Sequence, residues 1–396
     1  MRVLHLSDVY FPRVNGVSTS IVTFRRELPS RGVAAPLLCP AYGRGEEPEP
    51  GVHRIRSRFV PFDPEDRLPV RRALRRAAGE LAAEGLDLVH VQTPFVAHSE
   101  GVRLAHRLGV PVVESYHTYF EQYLEHYLPF LPARPLRWLA RALTRSQAAA
   151  VDRLLVPSAA MCDALAAYGV RTPMTVLPTG VRPEELAGGD GAAFRAAHGI
   201  APEQRVLVHV GRMGHEKNVG FLLAVAACLR ELFPDLVLVL AGEGPALPAL
   251  RQQAAELDLG ESVRWIGYLD RRGPLLDCYR SGDAFVFASR TETQGLVLLE
   301  AMALGVPVVS TAEMGTRDLL AAGRGALVAR EEVREFSAAV ARVLTDRPLA
   351  RRLAAEGPEV AREWSAGAMA DRLVALYRAE TEKAAEGRRL RESARS

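Results

Sequence analysis

Residues 284–310 read AFVFASRTETQGLVLLEAMALGVPVVS, and this stretch predicts a strand, a loop, a helix and a second strand in succession. Residues 285–287 form a short apolar run. A helix is expected between Gly295 and Gly305, because glycine commonly follows the last residue of a helix. The apolar residues 306–309 then begin the next strand.

The predicted helix carries one carboxylate, Glu300, on a surface that is apolar nearly all round. Such a helix should be buried, and a buried carboxylate is costly unless another group accepts it. Glu292 lies in the loop before the helix, so two acids bracket a helix N-terminus, where free N–H groups favour an anion. Acids at this place suit the hydroxyl groups of a ribose and a sugar beside a phosphate. Taken singly, each acid is more often a solvated surface residue.

The segment TETQGLVLLEAMALGVPVV, in which seven residues separate Glu292 from Glu300, resembles the signature of family-four retaining glycosyltransferases of the GT-B fold. This resemblance implies that Glu300 binds the ribose of a nucleotide and that Glu292 faces the donor hexose. It also implies that the backbone around Gly295, Leu296 and Val297 holds the phosphates and the sugar.

Composition limits the class of protein. The 396 residues suffice for two or three domains of about 100–200 residues each. The chain is 48% hydrophobic and 24% charged, which is typical of a globular protein, and no apolar run reaches the roughly 18 residues of a membrane span. The four cysteines are far apart, and the N-terminus enters an apolar strand without a signal-peptide pattern. These features predict a cytoplasmic protein.

Charge is unevenly distributed along the chain, whose net charge is +3. Residues 1–180 contain 22 arginines against 17 acidic residues, so this half is expected to meet any anionic surface. Only two lysines occur, Lys217 and Lys383, and a GC-rich genome explains that bias more simply than function does. We expect no nucleic-acid partner.

Two basic amphipathic helices are predicted in the same half. Such helices can lie on an anionic bilayer, although a solvated face on the protein's own core is an equally good explanation of the first one. A tryptophan, Trp138, stands among the arginines of the second helix, as is usual at a lipid headgroup interface. The sequence therefore predicts a peripheral association with the inner face of the membrane through Arg71, Arg72, Arg75, Arg76, Arg134, Arg137 and Arg141.

The first βα turn is predicted at residues 2–28, where a strand leads through a loop containing Gly16 into a helix expected from about residue 19. This order is typical of the phosphate-facing turn of a doubly wound sheet. In the resembled family a Pro-x-x-Gly-Gly-like loop closes over the diphosphate here, and Asn15 replaces the first of those glycines. Residues 40–66 are rich in Pro, Gly and Glu and are interpreted as an irregular loop.

His117 follows directly on a predicted strand, at the edge of the sheet where α/β enzymes bind ligands. A lone histidine is more often structural. The aromatic segment ESYHTYFEQYLEHYLPFLP, read with Glu-Thr-Gln-Gly, most resembles bacterial diacylglycerol glucosyltransferases. That resemblance implies that His117 contacts the donor sugar or the acceptor.

The second half repeats the pattern, with a strand at residues 206–210 followed by GRMGHEKN. Arg212 and Lys217 are two cations at a βα turn with helix N–H groups behind them, and this combination suits a diphosphate. In the resembled family the Gly-Arg and Glu-Lys pairs clamp the diphosphate, so the roles carry over to Arg212 and Lys217. An Arg–Lys pair is otherwise commonplace on surfaces.

The predicted fold is α/β, with two doubly wound Rossmann-like domains facing a central cleft. Residues 1–180 are expected to bind the acceptor, residues 181–362 the nucleotide-sugar, and residues 363–396 to return as a helix to the first domain and end in a frayed tail. No Asp-x-Asp motif occurs, so no metal is expected, and no cofactor beyond the donor substrate is predicted.

Three functional hypotheses remain open. The first is a retaining transferase that moves a hexose, preferably from UDP-glucose, to a membrane lipid such as diacylglycerol. The second keeps the chemistry but uses GDP-mannose, or a polysaccharide or soluble acceptor. The third is a protein that binds a nucleotide-sugar without catalysis, and the acid pair with Arg212 and Lys217 argues against it.

Overall fold

The structure is a computed structural model, and it describes residues 1–13, 15–43, 46, 48–60, 63–117, 133–271 and 273–393. Contacts divide the chain into two compact units. Unit 1 comprises Met1–Thr179 with Met369–Ser396, and unit 2 comprises Gly180–Ala368. The roles expected for the two domains remain predictions.

Unit 1 is built on a parallel sheet of seven strands. Its strands are β1 (Val3–Leu6), β2 (Leu37–Pro40), β3 (Val52–Ile55), β6 (Leu88–Val91), β7 (Val112–Ser115), β8 (Arg153–Val156) and β9 (Met174–Val176), and a separate antiparallel hairpin joins β4 (Ser57–Val60) to β5 (Asp63–Pro69). The order β3-β2-β1-β6-β7-β8-β9 reverses direction between β1 and β6. Its helices are α1 (Gly16–Glu27), α2 (Arg71–Ala82), α3 (Val96–Leu108), α4 (Ala133–Ala148) and α5 (Ala159–Ala167).

Unit 2 repeats this architecture with six parallel strands. They are β10 (Val206–Val210), β11 (Val237–Ala241), β12 (Val263–Gly267), β13 (Ala284–Phe287), β14 (Val308–Ser310) and β15 (Ala326–Val328), in the order β12-β11-β10-β13-β14-β15. The helices are α6 (Gly191–Ala197), α7 (Val219–Arg230), α8 (Leu247–Glu256), α9 (Pro274–Arg280), α10 (Leu296–Ala303), α11 (Gly315–Leu320), α12 (Val333–Thr345) and α13 (Arg347–Glu363); the last helix of the chain, α14 (Ala366–Ser393), runs from this unit into unit 1.

The strands of unit 2 are apolar on both faces, as expected for a parallel sheet that helices cover on both sides. In β13, Phe285 and Phe287 pack into one buried cluster, whereas Ala284 and Val286 pack into the other. The same alternation holds along β10 and β11. The near-continuous hydrophobic runs of the sequence therefore mark central strands. The predicted doubly wound α/β class is confirmed for both units.

The interpretation of residues 40–66 as an irregular loop is wrong. Edge strand β3 pairs in parallel with β2, and β4 pairs with β5. Their stability comes from pairing across strands, which local Pro and Gly content does not reveal. Helix α1 also begins earlier than expected, at Gly16, because the side chain of Asn15 accepts a hydrogen bond from Ser18 N at 2.8 Å and caps the helix. The aromatic segment at residues 118–132 lies outside the described residues.

Candidate functional site

The strand order of unit 2 reverses between β10 and β13, so the loops that follow these two strands diverge to opposite sides. In open α/β sheets a ligand crevice forms at the carboxyl ends of the strands, at that point of reversal. Lys217 follows β10, and Glu292 follows β13. The structure thus brings together two of the predicted residues that are far apart in sequence.

Lys217 and Glu292 form an ion pair, with Lys217 Nζ 2.7 Å from Glu292 Oε2. Their side chains are only 20% and 17% exposed. Burial alone would raise the pKa of Glu292, but the charge and hydrogen bond of Lys217 and the backbone N–H groups of Gly295 and Gln294 together outweigh it, so that pKa lies below its ordinary value. Glu292 is therefore ionised at neutral pH and acts as an acceptor of hydrogen bonds, not as a proton donor.

Gly295 places the N-terminus of α10 beside this pair. Its φ of 81° lies in the left-handed region that favours glycine. The N–H of Gly295 donates to Glu292 Oε1 at 3.2 Å. Among the residues that the structure describes, the N–H groups of Leu296 and Val297 donate to no acceptor outside the helix, as expected for its first turn. Two oriented N–H groups are thus available to an anion next to Lys217.

Arg212 lies on the loop that leads from β10 toward Lys217. Its side chain is 64% exposed and, among the described residues, makes only a long contact of 3.5 Å to Glu216 Oε1, so the guanidinium is accessible. The loop itself is held firmly, since Met213 N donates to Glu243 O at 2.9 Å. Gly242 permits this approach: a Cβ at that position would lie 1.9 Å from the carbonyl oxygen of Gly211.

Glu300 is buried, with 4% of its surface exposed, and both of its oxygens have partners. Arg271 pairs with Oε1, and the hydroxyl of Tyr279 donates to Oε2 at 2.7 Å. Burial, followed by the nearby Glu300, raises the pKa of Tyr279 well above its ordinary value, so the hydroxyl keeps its proton. A carboxylate offers about four acceptor positions, and one on each oxygen is left for a ligand such as a vicinal diol.

The two remaining predicted site residues, Gly16 and His117, belong to unit 1. Gly16 is the first residue of α1 and faces open space. His117 is half-buried after β7, and its Nε2 lies 3.1 Å from Gln92 Oε1. Burial lowers the pKa of His117 to about 4, so the imidazole is neutral at physiological pH.

Three partners of these residues were absent from the sequence prediction. Gln92 directly follows β6, and Arg271 lies in the loop after β12, so position at a strand's carboxyl end is a signal that could have identified both. Tyr279 lies inside α9, and nothing local to it indicates that it contacts Glu300. That contact depends on how α9 and α10 pack.

The first basic helix is largely committed to an internal partner. Arg71, Arg75 and Arg103 surround the carboxylate of Glu100, whose side chain is 3% exposed, with N–O distances of 3.5, 2.9 and 3.0 Å. Arg76 pairs with Glu80 on the same helix at 2.8 Å. Arg71 and Arg75 therefore have an internal partner, whereas the membrane contact predicted for α2 stays a prediction.

The second basic helix, α4, exposes apolar side chains. Trp138 is 68% exposed, Leu139 44% and Leu143 40%. Arg141 lies with its guanidinium carbon 4.8 Å from the centre of the Tyr168 ring. The side chains of Arg134 and Arg137 lie outside the described residues. The exposed part of this helix is thus more apolar than the sequence prediction emphasised.

The described ranges hold neither a candidate membrane span nor a candidate metal site. No helix there is long and apolar enough to cross a bilayer. No group of three or more His, Cys, Asp or Glu side chains there is arranged to hold a metal ion.

The fold class is that of the GT-B glycosyltransferases. Among solved structures, Anabaena HepE in complex with UDP aligns with a TM-score of 0.74 at 18% identity, covering 96% of this chain and 100% of that one. At this identity the similarity establishes the fold alone.

Sequence comparisons give the family. The model described as Glycosyltransferase Family 4 matches residues 14–185, and Glycosyl transferases group 1 matches residues 190–360. An alpha-monoglucosyldiacylglycerol synthase of Streptococcus pneumoniae is 32% identical over 78% of this chain and 71% of its own length. A GDP-mannose-dependent alpha-mannosyltransferase of Mycolicibacterium smegmatis is 31% identical over 96% and 97%. The chain belongs to the family-four glycosyltransferases, which confirms the resemblance seen in the sequence.

We predict that Tyr279→Phe destabilises unit 2, because it leaves Glu300 Oε2 buried with no donor among the described residues. A buried acceptor without a partner costs about 1–3 kcal/mol. Urea unfolding measures this loss. Tyr268→Phe is the matched control, since Tyr268 is 69% exposed and should change stability by less than about 0.5 kcal/mol. Equal midpoints for the two variants would contradict the contact.

Proposed function

We propose that the protein is a retaining, metal-independent hexosyltransferase that moves glucose from UDP-glucose to a membrane lipid such as diacylglycerol. The observation that carries the proposal is the ion pair of Lys217 and Glu292 beside free N–H groups at the point where the sheet of unit 2 reverses. In this proposal unit 2 binds the nucleotide-sugar and unit 1 binds the acceptor.

The leaving group sets the main electrostatic requirement. When the bond between the anomeric carbon and the phosphate oxygen breaks, negative charge develops on the nucleoside diphosphate. Fixed donors aimed at such charge are usually the largest catalytic contribution. Lys217, Arg212 and the first N–H groups of α10, all in unit 2, supply these donors.

Each remaining site residue acts as a hydrogen-bond acceptor. Glu292 is held ionised by Lys217 and accepts from hydroxyls of the hexose. Glu300 accepts from the ribose diol through the positions that Arg271 and Tyr279 leave free. His117 is neutral and accepts from a hydroxyl of the donor sugar or the acceptor.

We assign none of these residues as a nucleophile and propose attack on the same face that the diphosphate leaves. A bond from the acceptor oxygen to the anomeric carbon forms as the bond to phosphate breaks. The acceptor's proton passes to the departing phosphate oxygen. The configuration at the anomeric carbon is retained.

The lipid acceptor is supported by two features. The Streptococcus pneumoniae relative is named a monoglucosyldiacylglycerol synthase. Helix α4 exposes Trp138 and Leu143 in the half of the chain with the arginine excess, as a helix at a headgroup interface does. Because two arginines of α2 form ion pairs with Glu100, we assign the membrane contact chiefly to α4.

A second candidate is a GDP-mannose-dependent transferase with another acceptor. It is favoured by the Mycolicibacterium smegmatis relative, which aligns over nearly the whole of both chains. The two candidates share the diphosphate site and differ in the nucleobase, the hexose and the acceptor.

We predict that the purified protein transfers glucose from UDP-glucose to diacylglycerol in vesicles, and that Lys217→Ala lowers kcat on the order of a hundredfold or more because diphosphate charge loses its cation. Product formation followed with radiolabelled donor measures both. Lys383→Ala is the control. Lys383 is the only other lysine of the sequence and is exposed, so its replacement should leave turnover unchanged.

Turnover of Lys217→Ala within threefold of the parent, with a native circular dichroism spectrum for both, would refute the role of Lys217. Transfer from GDP-mannose but not from UDP-glucose would replace the first candidate with the second. An α-linked product from an α-linked donor, identified by the NMR coupling of its anomeric proton, is the outcome expected of retention.

We predict that Trp138→Ala with Leu143→Ala weakens binding to vesicles that contain phosphatidylglycerol, because these exposed side chains would lose the apolar area they bury in the interface. A roughly tenfold or larger loss in partition coefficient is expected. Vesicle flotation measures it. Leu232→Ala is the control, since Leu232 is 69% exposed but lies in unit 2. Equal flotation of both variants and the parent would remove α4 as the contact.

A further inference from the structure

A chain of six polar side chains runs through unit 1 at the carboxyl edge of its sheet. His5 lies in β1, His90 in β6 and Ser115 at the end of β7, while Gln92 and His117 follow β6 and β7. Tyr377 reaches them from α14. Four of the six, namely His5, His90, Gln92 and Tyr377, are at most 4% exposed. A buried polar group is costly unless it is hydrogen-bonded, so the pattern of donors in this chain is constrained.

The contacts are continuous from one end to the other. His117 Nε2 lies 3.1 Å from Gln92 Oε1, and Gln92 Nε2 lies 3.2 Å from His5 Nδ1. His5 Nε2 lies 3.4 Å from the Tyr377 hydroxyl, which lies 2.6 Å from His90 Nδ1. His90 Nε2 lies 2.8 Å from Ser115 Oγ, which is the last group of this hydrogen-bonded series.

All three imidazoles are neutral. Burial lowers the pKa of His5 to about 3 and that of His117 to about 4, and it places the pKa of His90 well below its ordinary value. A neutral imidazole donates from one ring nitrogen and accepts at the other. If the Tyr377 hydroxyl donates to one of its two histidines, the six groups can bond in only two ways, with every donor pointing toward Ser115 or every donor pointing toward His117.

The distances favour donors that point toward Ser115. An O–H···N or O–H···O bond is shorter than an N–H···O bond, so the 2.6 Å contact fits the Tyr377 hydroxyl donating to His90 Nδ1. The 3.4 Å contact then has His5 Nε2–H donating to Tyr377. It follows that Gln92 donates to His5 Nδ1 and that its carbonyl oxygen accepts from His117 Nε2–H.

We propose that Gln92 is a positioning residue for His117: its carboxamide oxygen holds His117 as the Nε2–H tautomer and leaves Nδ1 to accept a hydroxyl of the sugar or the acceptor. This inference rests on the proposed function, which places His117 at the substrate. Among the described residues Nδ1 has no partner, whereas both ring nitrogens of His5 and His90 are bonded.

The backbone around Gln92 is fixed, which suits a positioning role. Gln92 N donates to Leu6 O at 2.8 Å and so continues the pairing of β6 with β1. The next residue, Thr93, donates through its hydroxyl to Asp8 Oδ2 at 2.8 Å. Asp8 Oδ1 also accepts from Ala97 N at 3.0 Å, at the start of α3. The carboxamide thus projects from a loop that is anchored on both sides.

The test combines a spectrum with kinetics on the full-length protein. Long-range ¹⁵N–¹H spectra of histidine-labelled protein report which nitrogen of His117 carries the proton, independently of activity. We expect the Nε2–H tautomer in the parent and a mixture of tautomers in Gln92→Ala, together with a roughly tenfold or larger loss in kcat/KM. Gln252→Ala is the matched control, since Gln252 is an exposed glutamine of unit 2, and it should leave the His117 tautomer unchanged and turnover within threefold of the parent.

Gln92→Glu supplies a second readout if Gln92→Ala folds poorly. Its carboxylate still accepts from His117 Nε2–H, but the added negative charge stabilises the imidazolium and raises the pKa of His117. The acid limb of the pH–rate profile should therefore move to higher pH.

An Nδ1–H tautomer in the parent, or a His117 tautomer that Gln92→Ala leaves unchanged, would overturn the role of Gln92. Neither result depends on the proposed activity. Failure of the proposed function would appear separately, as normal turnover in His117→Ala or as no transfer at all in the parent.

Discussion

The ion pair of Lys217 and Glu292 is the interaction on which the rest of the site depends. It joins the loop after β10 to the loop after β13, at the one place in the sheet of unit 2 where neighbouring strands send their connections to opposite faces. Glu292 stays ionised in a mostly buried position, because Lys217 and the backbone N–H groups of Gly295 and Gln294 together outweigh the cost of burial. The pair also sets a positive charge beside the N–H groups that begin α10. Charge, oriented amides and an acceptor for hydroxyls therefore meet at a single edge.

Glu300 is a buried carboxylate on the otherwise apolar helix α10, and two neighbouring side chains compensate for its burial. Arg271 supplies the compensating charge on one oxygen, and Tyr279 supplies a neutral donor on the other. Each carboxylate oxygen has one partner and keeps one acceptor position free. A ligand site needs such a free position, whereas a structural ion pair does not. Unit 1 has a similar arrangement at His117. One ring nitrogen is hydrogen-bonded to Gln92, and the other has no partner among the described residues. In both units a candidate site residue is oriented by a neighbouring side chain.

Sequence patterns predicted what local spacing controls. The sequence placed the strand at residues 206–210 and the helix that follows Gly295 correctly. Apolar runs and glycines are local signals, and Gly295 indeed has a positive φ in the structure. The approach of Glu292 to Lys217 could be expected only through the family resemblance. Arg271 and Tyr279 could not be paired with Glu300, since that contact arises when two helices and a loop pack together. The strands between residues 52 and 69 were missed because pairing, not composition, stabilises them. The contact of α2 with Glu100 could not be predicted for a related reason, since Glu100 lies on α3.

The most direct test of the account is a crystal structure of the protein with UDP. We expect the diphosphate to lie against Lys217 Nζ and the N–H groups of Leu296 and Val297, with the ribose diol on Glu300. A diphosphate that binds elsewhere would contradict this expectation. In that case Lys217 would contact Glu292 alone, and no ligand would contact the first N–H groups of α10.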